Sequence, residues 1–480
     1  MRLLRERSLA ILAFVAAVNF GLTIYTLVET LQDFPNSADE YAYLVSAEIF
    51  ARGRLSVPSP HLARFFDVMH VVNDGKFYGK YPPGWPALLA AGVLIGAPWI
   101  INPLLGAAVL GAVYALARRH FSVEVATIAA LSLLGCPFLI FNSASYFSHV
   151  ACLLFIVLAL HFLLTCIAAP ADRAAHAWLG LCVGIAFLMR PFTVVALMAL
   201  PTLFLLLPLR RPESRKDRLL GLALAAGPFA VCLGFFLAYN RIQTGNAFLQ
   251  PFEMYASWDV PTIPKDRAEW AGRFDTHVVT RTWDLTRWLA FSPFYVLLAC
   301  TLRGLRNDPR LRLIVLSFLT LFVAFFFYWG EGGFQYGPRY LFEALGGLTV
   351  LTAVGISHFG SRGILMLASI LIMNGAAFVR ATGEVAEQVV AKKDVYLRAA
   401  ELSATNLIVF VGTNSGPAPV WDLPRNGIDF TPPILYVRDL GPQNKLLLEE
   451  HPHRKAYYYE YDAALGRGRM TPYTSERSWR

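Results

Sequence analysis

The sequence predicts an all-α polytopic membrane protein of about eleven transmembrane helices, followed by a small C-terminal extramembrane domain of α/β or β-rich type. Three observations predict it. Of the 480 residues, 56% are hydrophobic and only 16% charged, and the mean hydropathy is positive, which excludes an ordinary soluble domain. Apolar runs near the roughly 20 residues that a bilayer crossing requires recur from residue 8 to about residue 380. From residue 381 the chain changes character, and "NLIVFVGT", "PILYVRDLG" and "KAYYYEYD" read as strands divided by Pro, Gly and Asn turns.

The elements follow in order. Met1–Arg7 is basic like the start of a signal peptide, but the apolar run from Ser8 to about Leu31 is too long for one and lacks a small-x-small exit. It stays as the first span. With Arg2, Arg5 and Arg7 inside, residues 33–81 form a long external loop. Pro82, Pro83, Pro86 and Pro98 then break the next apolar run into an interfacial helix, before a true span from about Trp99 to Arg118 and Arg119. Further spans are expected at about 122–141, 149–168, 177–189, 192–208, 218–239, 287–302, 311–329, 339–358 and 363–379. Each half of 177–208 is short. With both halves crossing, Arg173, the cluster Arg210–Arg218, the cluster Arg303–Arg312 and Arg362 all fall inside. The N-terminus is then cytoplasmic and the C-terminus outside. Residues 1–380 are read as a transmembrane domain with external loops 33–81 and 240–286, and residues 381–480 as a periplasmic or extracytoplasmic domain. The expected location is a bacterial inner membrane.

The net charge of +9 sits largely in short loops, where it sets topology, so no nucleic-acid partner is expected. The six cysteines all lie in or beside apolar segments without CxxC spacing and read as small packing residues. There is no phosphate-binding glycine loop, no H-E-x-x-H and no Asp-x-Asp triplet. Nucleotide-driven chemistry is therefore not signalled.

Polar residues gather instead at the outer ends of helices: Asp39-Glu40, Lys80-Tyr81, Ser148-His149, Arg190-Pro191 and "EGGFQYGPRYLFEA" from Glu331 to Ala344. On this topology one external cavity gathers an acid, a histidine and several cations just above the hydrocarbon. Outside the membrane there are no activated nucleotides, so a bond-forming enzyme there needs a donor carried on a lipid. A polyprenyl-phosphate sugar fits, because its phosphate needs cations and a single carboxylate base then suffices for an inverting displacement. Ser37-x-x-Glu40 also fits a capping box, with Tyr41, Leu44, Val45 and Ile49 on one apolar face and Gly53 as C-cap. His149 at a helix start is open to an interfacial as well as a functional reading, and His161 reads as a packed histidine. Arg190 and Arg339 could fork onto a phosphate or act as flanking anchors, and Lys80 could snorkel.

Here the chain resembles a known family. "SADEYAYLVSAEIFARGRL" followed by "KYPPGWPALLAAG", a helix ending "ALARRHF", and later "GPRYLFEAL" are similar to the GT-C membrane glycosyltransferases, such as the protein O-mannosyltransferases and the lipid A aminoarabinose transferases. The resemblance covers roughly residues 1–380 and is strongest over 37–121. It implies Asp39 as catalytic acid residue, acting as general base, with Glu40 as the second choice. Lys80, Arg190 and Arg339 would hold the donor phosphate with His149, while Tyr43, Tyr81, Glu331, Tyr336 and Glu343 line the site. The expected partners are the lipid-linked sugar donor, membrane lipids and an acceptor that is a lipid, a glycan or a protein. No cofactor is demanded, and a divalent cation joining the phosphate to the acids is left open. The alternative is a transporter or flippase of a lipid-linked or polyol substrate, against which stands the lack of two matching halves with interrupted helices. A reporter fused after residue 380 tests the topology: extracytoplasmic activity is expected, and cytoplasmic activity would overturn the eleven-span arrangement.

Overall fold

Hydrocarbon offers no partner to a peptide amide, so the apolar runs fold as helices that satisfy their own. The computed structural model of the protein describes residues 6–205, 215–257, 261–290, 307–328, 335–402, 406–412, 420–462 and 464–474. Among these residues seven helices are long and apolar enough to cross a membrane: Ser8–Thr30, Pro98–His120, His149–Ala168, Lys216–Thr244, Pro309–Phe326, Arg339–Ser357 and Ser361–Glu401. The run expected at 122–141 is a pair, Val123–Ser132 and Pro137–Ala144, bent by 67°, which makes an eighth span if counted as one. Gly84–Leu94, Arg173–Met189 and Pro191–Leu203 are shorter apolar helices. The prolines after Tyr81 thus do interrupt the run, leaving an 11-residue helix before the longer one. Most of the span expected at 287–302 lies outside the described residues.

The chain forms two compact units. The first takes Met1–Leu27, Pro82–Trp85 and Trp99–Thr382, and the second Val28–Tyr81, Pro86–Pro98 and Gly383–Arg480.

Within the first unit the bend at residues 132–137 frees backbone groups that a straight helix would pair, and two asparagines take them up. Asn19 Nδ2 donates to the Leu133 carbonyl at 2.9 Å while its Oδ1 accepts from the Gly135 amide at 2.9 Å. Asn374 Nδ2 donates to the carbonyls of Ser132 at 3.0 Å and Leu134 at 2.9 Å. Elsewhere helices meet through small residues. Gly180 and Gly184, four apart on helix Arg173–Met189, face helix Arg215–Thr244, where a Cβ on Gly180 would stand 1.9 Å from the Ala225 carbonyl oxygen and one on Gly184 2.8 Å from Cys232. Lipid gives helices no hydrophobic reason to associate, so this backbone approach is where their dispersion energy comes from.

The second unit is built on two sheets. β1 (Val57–Pro58), β2 (Val71–Asp74) and β3 (Lys76–Gly79) form an antiparallel sheet in the order β1-β3-β2. β4 (Leu407–Val411), β5 (Ile434–Arg438), β6 (Lys455–Asp462) and β7 (Arg467–Pro472) form a second sheet in the order β5-β4-β6-β7. β4 runs parallel to both neighbours, and β7 is antiparallel to β6. Every residue of β4 is buried, as its unbroken apolar run requires of a central parallel strand. The tail is therefore α/β. One face packs Ile408, Phe410, Leu435 and Val437 against Phe65 and Phe66 of the segment 33–81. The other packs Val409 and Val411 against Val395 and Ala399, which belong to helix Ser361–Glu401. That helix continues well past the span expected to end near residue 379, because Ala381, Val385, Val389, Val395 and Ala399 keep apolar residues at near-helical spacing and all are buried.

Gly180→Val is expected to destabilise the solubilised protein by at least about 1–3 kcal/mol through overpacking. Gly227→Ala, where a Cβ would meet nothing within 4 Å, should leave the thermal midpoint unchanged or slightly raised.

Candidate active site

Helix Ala38–Ala51 begins where the sequence predicts. Ser37 is extended and accepts the Glu40 amide on its Oγ at 3.2 Å. The Glu40 carboxylate accepts from the Ser37 hydroxyl at 3.4 Å, so this acid faces back into the cap. At the far end the Gly53 amide meets the Phe50 carbonyl and the Arg54 amide meets that of Ile49, a Schellman closure that uses Gly53 at φ +68°. Glu40 is fully buried, whereas the Asp39 side chain keeps 17% exposure. Only the second of these neighbours is reachable by a substrate.

The residues before the cap are held from the tail. Lys392 Nζ donates to the Asn36 carbonyl at 2.5 Å, and the Arg425 guanidinium donates to the Pro35 carbonyl while pairing with Asp422 at 2.5 Å. Arg425 also lies 5.3 Å over the ring of Tyr41, whose hydroxyl donates to the Asn426 carbonyl at 2.6 Å and accepts its amide at 3.0 Å. Burial pushes the Tyr41 phenol above its ordinary value, against the pull of the Asn426 bond, so it stays a neutral donor.

Strand β3 brings the next residues. Gly79 lies flat on the helix: its amide donates to Ser46 Oγ at 3.0 Å, and a Cβ there would stand 2.3 Å from the Ala42 carbonyl oxygen. Lys80 and Tyr81 follow directly. The Tyr81 hydroxyl donates to Asp39 Oδ1, and its ring stacks on Tyr43 at 4.4 Å between centroids. The Lys80 ammonium is buried 5.4 Å from the centre of the same ring. Sequence reasoning missed His70, whose Nε2 stands 3.6 Å from Asp39 Oδ1 and whose carbonyl accepts the Lys80 amide at 3.0 Å. Its backbone has φ +68°, an uncommon conformation for a non-glycine residue. In "FDVMHVVNDG" nothing marks it, since its partner Asp39 is brought to it only by folding.

In the first unit a second polar cluster forms around Glu343. Its Oε1 is hydrogen-bonded to His149 Nδ1 at 2.9 Å and stands in ion-pair contact with Arg190 Nε at 3.0 Å, with Glu343 and His149 essentially inaccessible and Arg190 15% exposed. Arg190 occupies the single-residue break between helices Arg173–Met189 and Pro191–Leu203, and its Nη1 also donates to Ser148 Oγ at 3.3 Å. The turn leading into His149 is tied by Asn102 Nδ2 to the carbonyls of Ser145 at 2.6 Å and Phe147 at 2.9 Å, and by Trp85 Nε1 to that of Tyr146 at 2.8 Å. Arg339 lies 4.2 Å over the ring of Phe147, and the Tyr336 carbonyl accepts from Asn142 Nδ2 at 3.2 Å. Glu343, expected from sequence to line the site, is thus the shared partner of Arg190 and His149. Glu331 lies outside the described residues. Asp39 and His70 are a pair, and among the described residues no three His, Cys, Asp or Glu side chains converge as a metal cage.

With this geometry established, comparison with known proteins gives the fold its name. Residues 82–237 match the family model of dolichyl-phosphate-mannose-protein mannosyltransferase, a segment running from before helix Gly84–Leu94 into helix Arg215–Thr244. No curated protein matches the chain by sequence. Among solved structures, ArnT from Cupriavidus metallidurans bound to undecaprenyl phosphate is similar with a TM-score of 0.60 at 14% identity, over 95% of this chain and 93% of that one. The apo state of the same protein gives 0.54 at 14% identity over 89% and 88%. The Archaeoglobus fulgidus oligosaccharyltransferase, tethered with an acceptor peptide containing the NVT sequon, gives 0.60 at 12% identity over 96% of this chain and 70% of that one. At such identities the likeness is one of fold and bears out the fold class read from the sequence, while the family-model match over residues 82–237 agrees with the resemblance stated there.

The shared carboxylate of Glu343 is open to test. Glu343→Ala should lower stability by about 3–5 kcal/mol, since it leaves the partly buried Arg190 without its counter-charge and His149 without its hydrogen-bond partner. Adding Arg190→Met should cost less than the sum of the two single changes in a thermal-denaturation cycle.

Proposed function

We propose that the chain is an integral-membrane inverting glycosyltransferase that moves a sugar from a polyprenyl-phosphate carrier to an acceptor on the outer face of the membrane. The observation that carries this reading is Asp39: a reachable carboxylate on the first turn of a rigidly capped helix, hydrogen-bonded by Tyr81 and within ion-pair distance of His70. The match of residues 82–237 and the undecaprenyl phosphate in the ArnT structure support the lipid-linked donor class.

In this reading the Asp39 carboxylate takes the proton of an acceptor hydroxyl or amine as that atom attacks the anomeric carbon. The bond from the anomeric carbon to phosphate breaks on the opposite face, its electron pair passing to the phosphate oxygen, so the sugar inverts. Tyr81 and the stacked Tyr43 hold the carboxylate in one orientation, which keeps the base aligned without reorganisation at the moment of reaction. The donor phosphate is assigned to Arg190 and Arg339, guanidiniums suited to forked phosphate contacts, with Arg190 oriented by Glu343. Loss of the carrier phosphate needs little acid assistance, so cations near it suffice.

The test uses purified protein in liposomes with a polyprenyl-phosphate sugar. Asp39→Asn should lower transfer by roughly 10²–10⁴-fold, the usual contribution of a general base, with an unchanged thermal midpoint. Normal transfer by the folded variant would remove Asp39 as base, and uptake of labelled lipid-linked sugar without any transfer product would favour a transporter.

A further inference from the structure

A cavity of about 870 Å³ opens in the first unit at the ends of five helices. Its walls are the last turns of Ile101–His120, His149–Ala168 and Leu345–Ser357 and the first residues of Val123–Ser132 and Pro309–Phe326. These are the arginine-bearing ends that the positive-inside bias assigns to the cytoplasm, away from the face assigned to Asp39. Nothing in the proposed transfer reaction uses them.

The lining divides in two. Deeper in, residues such as Leu164 and Val354 make the wall apolar. The polar part of the lining holds Arg119, Arg310, His120 and His358, with Asp308 the one acid among the lining residues. That acid is already committed: the Arg310 guanidinium meets it at 2.6 Å and 2.9 Å and also donates to the His120 carbonyl. Arg119 is exposed and has no ion pair or hydrogen bond among the described residues. The cavity therefore carries surplus positive charge at the depth of lipid headgroups, beside an apolar wall, and its volume suits a small ligand. A bilayer leaflet rich in anionic lipid presents a phosphate ester at that depth, and basic pockets between transmembrane helices recognise such groups.

We propose that this cavity is a second, non-catalytic phosphate site, which binds the phosphate ester of an anionic phospholipid headgroup through Arg119 and its neighbours at the cytoplasmic ends of the helices. Arg119 supplies the charge-assisted hydrogen bonds, Arg310 is held as a rigid flank by Asp308, and the apolar wall covers the glycerol backbone.

Full-length protein in phosphatidylcholine vesicles, doped with spin-labelled phosphatidylglycerol or spin-labelled phosphatidylcholine, provides the test by electron paramagnetic resonance. The protein is expected to immobilise phosphatidylglycerol preferentially. Arg119→Gln should weaken that preference about tenfold, the value of one charge-assisted hydrogen bond. Arg312→Gln, exposed on the first turn of helix Pro309–Phe326 but outside the cavity lining, should leave it unchanged. Soluble glycerol phosphate separates the sources. Failure to displace the labelled lipid supports a lipid ligand, and displacement supports the same phosphate site filled from the cytosol. Equal immobilisation of the two lipids, or equal loss in the two arginine variants, overturns the proposal.

Discussion

The start of helix Ala38–Ala51 is the constraint on which the candidate chemistry depends. A carboxylate that must take a proton from a passing acceptor needs a fixed direction, and a residue on a first turn has one only if the turn itself cannot fray. Ser37 closes it from within, and Lys392 and Arg425 close it from the tail by occupying the carbonyls of Asn36 and Pro35. Gly79 then lets β3 approach the helix backbone closely enough for Tyr81 to reach Asp39. A bulkier residue at 79 would lift the strand away, and the tyrosine with it.

The membrane part solves a different problem with the same economy. At several places buried polar groups are brought together: Asn19 and Asn374 bond the bent helix pair, Asn102 and Trp85 the turn before His149, and Arg190 and His149 meet the buried Glu343. Breaks in regular helix are expensive in hydrocarbon, and at the bend over residues 132–137 side chains take up the freed backbone groups. Arg190 is an example of the benefit, since it stands at a break between two helices, where its guanidinium can turn from the helix axis toward Glu343.

Much of this was legible in the residues. Apolar runs of bilayer length gave the helices, because burial in lipid leaves few other solutions, and the run His149–Ala168 matches its expected bounds. The cap at Ser37 and the close at Gly53 were readable because both are local: their donors and acceptors lie within a few residues. The strands of the tail were readable for the same reason. What escaped was anything made by long separation in the chain. His70 carries no local mark, and neither does the use of Phe65 and Phe66 as core residues for a sheet formed more than 300 residues later. The extent of helix Ser361–Glu401 was underestimated because the hydropathy falls at residue 380 while the helical spacing of buried residues does not.

The sequence by itself determined the class of protein and the position of the longer apolar helices, and it singled out Asp39 only through the family resemblance of the motif around it. Those depend on composition, period and short motifs, which the chain states directly. Only the tertiary structure separated the surroundings of Asp39 and Glu40, burying the second completely and leaving the first partly exposed. It also decided that Glu343 serves Arg190 and His149, and that the segment 33–81 and the tail share one core. Burial and pairing are properties of what surrounds a side chain, and those surroundings are drawn from segments the sequence keeps far apart.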